Sequence, residues 1–597
     1  MTKGVPARKS APNRLDDDGG RRYALILAFA SLAFLIATLT IFKMSNNDIW
    51  IHLKTGEIIL QTGHVPDKDP YSFTASDHDY VAHEWLSGVL CYLVYAAAGV
   101  NGLIIFKSAI IFATCAALIG ACYFLRVSPV MMFPCFILML YIGSARFLVR
   151  PHIFSYLFIA LYLLCYFGYR RRRVRAWLFA IPFLHTIWTN LHGGHFQGIL
   201  LLGLMAAGET ALFLRARWGR LSVQDALPGR DLILVLALPF ACLVMALVNP
   251  YHYRLLTFPF ELTGQELFMR SIYEWQSALF PSYNHSSMFF FYIPWTIVLF
   301  GSFLFVRDHS ELKGGLREGI WAMNVLLTLA WIVFSFEFAG TYNTGMADMP
   351  TLLEKQQDLW FVVTVVLIAA NVHRLEFTHL GIASAFFALS MKHNRAVTDA
   401  VIVGLPTLGH NLTEILARMR RSTKKPRIFR ESRVLLVLAI LMTGLGVFTL
   451  TKGYYFAFQP PSKRESDMGI ASNMPVGAVD YIVRNHITGR CLPSYNAAAM
   501  LIHAMWPEVK VAMDSRNDVY GEKLYREYVM ALNGRDTLDA YIRKWDIDFF
   551  LITYVSDRSP ALRAYFKRSS EWFLVYFDDR QLVYLRDRPR FRDIIRR

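Results

Sequence analysis

Residues 23–42 read YALILAFASLAFLIATLTIF, an unbroken apolar block without a single charge, directly after Arg21 and Arg22. A helix of that length, rising 1.5 Å per residue, crosses the roughly 30 Å hydrocarbon core of a bilayer. It is longer than the apolar core of a signal peptide and no small-residue cleavage site follows it. It is therefore expected to remain as a first span. Similar blocks recur at about 101–124, 130–147, 152–169, 176–192, 196–214, 231–249, 288–306, 318–336, 359–372, 378–391, 397–415 and 433–452. The expectation is a polytopic α-helical membrane protein with about 13 spans.

Composition agrees. The chain of 597 residues is 55% hydrophobic and 18% charged, with a net charge of +17. In a soluble protein such a charge would suggest nucleic acid, but here the basic residues sit in short clusters beside apolar blocks. With residues 1–22 as a cytoplasmic basic tail, alternation along the spans puts Arg170 to Arg173, Arg215 to Arg220, Arg307 to Arg317 and Lys424 to Arg433 on the cytoplasmic side. That is the positive-inside pattern, and it excludes nucleic acid as the partner. The loop 45–85, with seven acidic residues against two lysines, falls outside. Six of the seven cysteines lie in or beside apolar blocks and only Cys491 does not, so neither a disulfide framework nor a thiolate metal site is expected.

The spans make up a domain over 23–452, and from 453 to 597 the pattern becomes that of a soluble α/β domain. Helices are expected at 476–485 and 497–506, buried strands at 509–513 and 549–553, and a hairpin at 572–585 turning at Asp578-Asp579-Arg580. An odd number of spans puts this domain outside. No internal repeat of the kind many transporters carry is present.

On this topology the unusual polar motifs lie at outer ends of spans. They are Asn47-Asp48-Ile49-Trp50, His83-Glu84-Trp85, Arg146 to His152, Trp188 to His195, Asn249 to Arg254, Tyr273-Glu274-Trp275 and Lys392 to Arg395. Ionisable groups near membrane depth are costly, and their gathering on one face points to an outward cavity for an anionic, lipid-linked ligand. After Asp48 the sequence IWIHLKTGEIIL places Ile49, Leu53, Ile58, Ile59 and Leu60 near one face of a helix, as in a segment lying on the bilayer, and Gly63 and Pro66 end it.

An acid just after the first span, an amphipathic first loop, many spans and a late outer domain resemble the GT-C superfamily of glycosyltransferases that use polyprenyl-phosphate sugars. The stretch from Asp48 through Gly56, Gly63-His-Val-Pro66-Asp-Lys-Asp-Pro-Tyr-Ser-Phe-Thr74 and His83-Glu84-Trp85 is similar to first loops of bacterial members. So are Trp188-Thr-Asn190-Leu-His192-Gly, Asn249-Pro-Tyr251 and Met513-Asp514-Ser-Arg516 with Tyr520. The resemblance implies an inverting transferase in a bacterial plasma membrane, moving a sugar from a polyprenyl-phosphate donor to a lipid, glycan or protein acceptor on the outer face. Asp48 would take the acceptor proton. Where relatives pair two acids, Asn46-Asn47-Asp48 offers one carboxylate, so Glu84 at the far end of the loop is the candidate second acid.

The departing phosphate needs cations, and Arg395, His393, Arg150, Arg146 and Arg254 are the candidates, Arg being favoured for its bidentate fork. His83, Asn190 and His192 are candidates for binding substrate. A divalent cation at Asp48 or Glu84 is left open. His192 and His195 have no third ligand in sequence reach and read as structural or substrate-bonding rather than as a metal pair. Asp48 as a helix cap, Glu84 as a cap, Arg146 and Arg150 as snorkelling anchors, and Asp514, Arg516 and Asp518 as loop-shaping residues are the plainer readings. The rival functions are a transporter or flippase, and a polymerase or ligase of lipid-linked glycans.

Overall fold

The computed structural model of the chain describes residues 14–218, 226–263, 273–275, 287–305, 377–422, 431–452, 467–554 and 560–597. The first part is a helical bundle: α1 (Arg14–Thr40), α2 (Ile49–Thr62), α3 (Trp85–Phe124), α4 (Pro129–Gly143), α5 (His152–Arg172), α6 (Ala176–Leu191), α7 (His195–Arg217), α8 (Gly229–Met245), α9 (Arg254–Thr263), α10 (Ser287–Phe305), α11 (Phe377–Lys392), α12 (Val397–Ser422) and α13 (Glu431–Lys452). Among the described residues seven helices are long and apolar enough to cross a membrane: Gly19–Thr40, Trp85–Phe124, Pro129–Arg146, His152–Arg172, His195–Arg217, Asn394–Arg420 and Glu431–Thr451. At 16 or 17 residues α6, α8 and α11 are shorter than the roughly 20 a straight crossing needs. The expected spans at 318–336 and 359–372 lie outside the described residues. Ile26, Phe183, Phe240 and Ile440 stand exposed on the outside of the bundle, as lipid-facing side chains do.

Beyond the bundle lies an α/β domain with α14 (Val476–Arg484), β1 (Gly489–Pro493), α15 (Ala498–Met505), β2 (Val509–Val511), α16 (Asn517–Asn533), α17 (Arg535–Trp545), β3 (Phe549–Thr553), α18 (Pro560–Arg568), β4 (Trp572–Phe577) and β5 (Gln581–Arg586). Its sheet runs β2-β1-β3-β5-β4. β1 is parallel to both β2 and β3, with Cys491 opposite Val511 and Phe549, and β5 is antiparallel to β3 and β4.

The loop between α2 and α3 closes the exposed edge of β2. Ser72 pairs in parallel with Val511, the Val511 N–H donates to Tyr71 O (3.2 Å), and the Phe73 N–H donates to Val511 O (3.2 Å). An open strand edge invites wrong partners, and here the protein supplies its own.

Helix α2 differs from its expected setting. Its apolar residues Ile49, Trp50, Ile51, Leu53 and Ile58 are buried in one cluster with Met500, Leu501 and Val511 of the α/β domain, and α2 packs on α3. The amphipathic pattern thus serves a helix held between two protein layers rather than one lying on a bilayer. It ends at Gly63, whose left-handed backbone (φ +71°) lets its N–H bond to Ile59 O. Helix α3 breaks at Gly99 (φ +61°), so its first half is free to cross α2 before the second half enters the bundle.

That crossing is very close. A Cβ on Gly56 would lie 2.2 Å from the carbonyl oxygen of Gly88, and one on Gly88 would lie 2.8 Å from that of His52. Both obstacles are backbone, which has to move bodily. Gly56→Ala is expected to cost roughly 1–3 kcal/mol or more, whereas Gly203→Ala, with nothing within 4 Å of its added Cβ, should stay within about 0.5 kcal/mol. Thermal unfolding of the two variants in lipid nanodiscs checks this; equal melting temperatures would rule out the crossing as a constraint.

Candidate functional site

Asp48 precedes the first turn of α2, yet its side chain makes no cap bond; it is ion-paired through Oδ2 with Nη2 of Arg150. Arg150 reaches Glu274 Oε1 through Nη1 (2.7 Å), and Arg146 Nη1 lies 2.8 Å from the same oxygen. Two carboxylates and two guanidiniums form one chain of alternating charge. Burial pushes the Glu274 carboxyl up, but Arg146 and Arg150 overcome this and hold it well below the usual carboxylate range.

Glu84 precedes α3 and also makes no cap bond. Three imidazoles surround it: His52 Nε2 lies 3.3 Å from Oε2, and His192 Nε2 and His83 Nε2 lie 3.4 and 3.8 Å from Oε1. Their tautomers follow from their other contacts. The Gly194 N–H donates to His192 Nδ1 (3.0 Å), so in the neutral ring the proton sits on Nε2, aimed at Glu84. Ser155 Oγ, which accepts from Trp188 Nε1 (2.8 Å), holds the same Nδ1 at 2.6 Å. His83 Nδ1 donates to Val81 O (3.2 Å), so in the neutral ring its Nε2 is an acceptor facing a second acceptor, Glu84 Oε1. A hydroxyl proton fits between such a pair. Burial lowers the pKa of His52 although Glu84 raises it, so His52 stands neutral beside the acid.

Arg395 lies in the 3-10 turn Asn394–Ala396 with its guanidinium 3.5 Å from the Trp275 ring centroid. His393 donates Nδ1–H to Trp275 O (3.1 Å). Arg395 is within electrostatic reach of Arg146, Glu274, Asp399 and Glu84. Among the described residues it is ion-paired with no carboxylate, unlike Arg146 and Arg150.

The structure therefore brings together Asp48, Glu84, Arg146, Arg150, His83, His192, His393 and Arg395. Arg254 stands apart: half-exposed, it pairs with Asp79 (2.7 Å). Asn190 uses both amide hydrogens inside the protein, on Thr186 O and Val248 O, and its Oδ1 accepts from Trp85 Nε1. It anchors the residue after Glu84. His195 faces His185, with ring centroids 5.2 Å apart. His52 was not singled out in the sequence, and Glu274 stood out only within the motif Tyr273-Glu274-Trp275, without a role. The signal for His52 was its position one turn after Asp48.

Among the described residues no group of three or more His, Cys, Asp or Glu side chains is arranged to hold a metal ion. A hard divalent cation seeks several oxygens. Asp48 already meets a guanidinium and Glu84 meets imidazole nitrogens, so the set is poor in oxygens for such a hard ion.

The α/β domain reaches this site through a buried ion cluster. Arg516 donates from Nε and Nη2 to Asp514 (3.0 and 2.7 Å) and from Nη2 to Asp69 of the outer loop (2.7 Å). Asp69 also accepts from the N–H groups of Tyr71 and Ser72 (3.1 Å each), and Tyr520 donates to Asp514 (2.7 Å). Arg516 lies over the rings of Tyr71 and Tyr80. Thr74 Oγ1 donates to Ala512 O (2.6 Å). Asp518, one turn on, is within electrostatic reach of His83, and burial pushes its carboxyl up.

No protein-family model matches the chain, and no curated protein matches it. Among solved structures it is similar to the oligosaccharyltransferase AglB from Archaeoglobus fulgidus, in complex with an inhibitory peptide and a dolichol-phosphate (TM-score 0.49, 10% identity, 93% of this chain and 73% of that one). It is similar to ArnT from Cupriavidus metallidurans bound to undecaprenyl phosphate (TM-score 0.41, 12% identity, 94% and 98%). It is also similar to the arabinofuranosyltransferase AftD from Mycobacteria (TM-score 0.43, 12% identity, 96% and 40%). Function has to be read from the residues gathered at the site.

Burial raises the Asp69 carboxyl, but Arg516, Ser72 and the Tyr71 N–H together hold it below its ordinary value. A depressed carboxylate contributes stability that is present above its unfolded pKa of about 3.9 and lost as pH falls through the folded value. The loop should therefore stay docked from neutral pH down to about 4 and loosen only below it. Arg516→Ala leaves two buried carboxylates unpaired and should cost roughly 3–5 kcal/mol, undocking the loop already at neutral pH. Hydrogen exchange of residues 66–74 between pH 3 and 7 reads both; unchanged protection in the variant would refute the clamp.

Proposed function

We propose that this chain is a membrane glycosyltransferase that moves a sugar from a polyprenyl-phosphate donor to a hydroxyl of a lipid, glycan or protein acceptor, on the outer face of a bacterial plasma membrane. The observation that carries the reading is the pairing, in one site, of a carboxylate set among three imidazoles with an arginine that no described carboxylate neutralises. The reaction needs both: a base for the acceptor proton and a cation for the departing phosphate.

In this reading the acceptor oxygen attacks the anomeric carbon, its proton passes to Glu84, and the C–O bond to phosphate breaks with its electrons going to the phosphate oxygen. Attack from the face opposite the leaving group inverts the anomeric centre. Glu84 has an exit for the proton in His52, whose ring is neutral. Asp48 holds Arg150 and so keeps the alternating chain with Glu274 and Arg146 in register. Arg395 on Trp275 receives the phosphate, with Arg146 behind it. The resemblance of the first loop to GT-C first loops supports the same class and favours Asp48 as base; the geometry favours Glu84.

The test uses the full chain in nanodiscs with a panel of radiolabelled polyprenyl-phosphate sugars and membrane lipid extract as acceptor. Wild type is expected to consume one donor. Glu84→Gln should lower kcat by about 10²–10⁴-fold, Asp48→Asn by less, and Arg395→Ala should raise the donor KM. If Glu84→Gln is silent and Asp48→Asn is not, the roles of the two acids are reversed. If no donor is consumed, transfer is excluded and passage of the intact lipid-linked sugar across a vesicle bilayer becomes the assay.

A further inference from the structure

Asp399, in the first turn of α12, takes no part in that reaction. It is 5% exposed and accepts one hydrogen bond, from Nε2 of Gln197 in the first turn of α7 (2.7 Å). The second oxygen of Asp399, Oδ1, and the single side-chain oxygen of Gln197, Oε1, are buried and receive no hydrogen bond from any described residue. The same holds for Oδ1 of Asn394, five residues before Asp399. On either side of the Gln197–Asp399 hydrogen bond an acceptor oxygen is therefore buried with no donor among the described residues.

An acceptor buried without a donor costs about 1–3 kcal/mol, and such groups are as a rule satisfied by something bound. What Oδ1 of Asp399 and Oε1 of Gln197 lack is a hydrogen-bond donor. Asp399 follows Arg395 by four residues, roughly one helical turn, and lies within electrostatic reach of Arg395, Arg146 and Tyr156. A phosphate on Arg395 would leave the sugar attached to it about one turn away, beside Asp399 and Gln197. Sugar hydroxyls are donors, and their bonds to a carboxylate are charge-assisted.

We infer that Gln197 and Asp399 form the subsite that reads hydroxyl groups of the donor sugar while Arg395 holds its phosphate. This rests on the glycosyltransferase reading above. Neither residue touches the bond that breaks; both determine specificity. A site built to bond a hydroxyl discriminates strongly against the analogue that lacks it, because its own buried acceptors are then left unpaired.

The experiment starts from decaprenyl-phosphate glucose, galactose and mannose with wild-type protein in nanodiscs. The donor that is consumed is then compared with its single-position deoxy analogues. Wild type should lose at least 10-fold in kcat/KM at one or two ring positions. Asp399→Asn, which keeps the shape of the side chain, should shrink that discrimination several-fold, and Asp399→Ala and Gln197→Ala should abolish it. Inhibition by free decaprenyl phosphate should be unchanged in all three. Discrimination that persists in every variant, or a wild type indifferent to every deoxy position, would overturn the subsite and assign the orphaned oxygens to ordered water. A wild type that consumes no donor overturns the glycosyltransferase reading itself, and the subsite with it.

Discussion

Two helices can cross with backbone against backbone only where neither carries a side chain, and such a crossing leaves no freedom in the distance between them. Gly56 of α2 and Gly88 of α3 make this contact. On α2 the turn before Gly56 carries His52, and the turn before that carries Asp48. On α3 the turn before Gly88 carries Glu84. The crossing thus sets His52 against Glu84, at 3.3 Å, and fixes where Asp48 stands relative to both. Catalytic geometry tolerates little: a displacement of about 1 Å can cost on the order of 10²-fold in rate. In this site that tolerance is written into two residues with no functional group at all.

Charge decides what each arginine is available for. Arg146 and Arg150 are matched by Glu274 and Asp48, so the four form an array close to neutral. Arg395 rests on an aromatic face instead, an attraction of about 0.5–2 kcal/mol that leaves the guanidinium edge free for an anion. An incoming phosphate would thus displace no ion pair with any described residue at Arg395, whereas at Arg150 it would compete with Asp48 directly.

Much of the architecture was legible because hydropathy is local. The apolar blocks, strand 549–553 and the hairpin at 572–585 depend on runs of residues adjacent in sequence. Strand β1 was not legible. Gly-Arg-Cys-Leu-Pro has a glycine and a proline in five residues and is a strand because β2 and β3 pair with it on both sides. The setting of α2 was misread for a related reason: a one-sided apolar pattern names a face to be covered but not its cover. In the site, Asp48, Glu84, Arg150 and Arg395 stood out because charge at the end of a span is costly. Arg254 stood out equally, and only its tertiary partner Asp79 separates it from them. His52, Gln197 and Asp399 owe their importance to neighbours far along the chain, about which a local pattern carries no information.

The buried cluster of Asp69, Asp514 and Arg516 then raises the question of why polar groups hold the outer loop to the α/β domain when apolar ones would do. Desolvating three charges is expensive, and such clusters add little net stability over a well-packed apolar replacement. Hydrophobic burial, however, is non-directional: Tyr71, Tyr80 and Ala82 alone would let the loop slide along the face of the domain. The fork of Arg516 meets two carboxylates at fixed angles, and the Asp69 carboxylate in turn gathers the N–H groups of Tyr71 and Ser72, so the loop has one register. That register sets Ser72 opposite Val511, carries the chain on through Tyr80 and Ala82, and delivers His83 and Glu84 to the imidazoles that face them. In the proposed reaction the domain beyond the bundle acts through the placement of Glu84, by fixing the start of the segment that carries it.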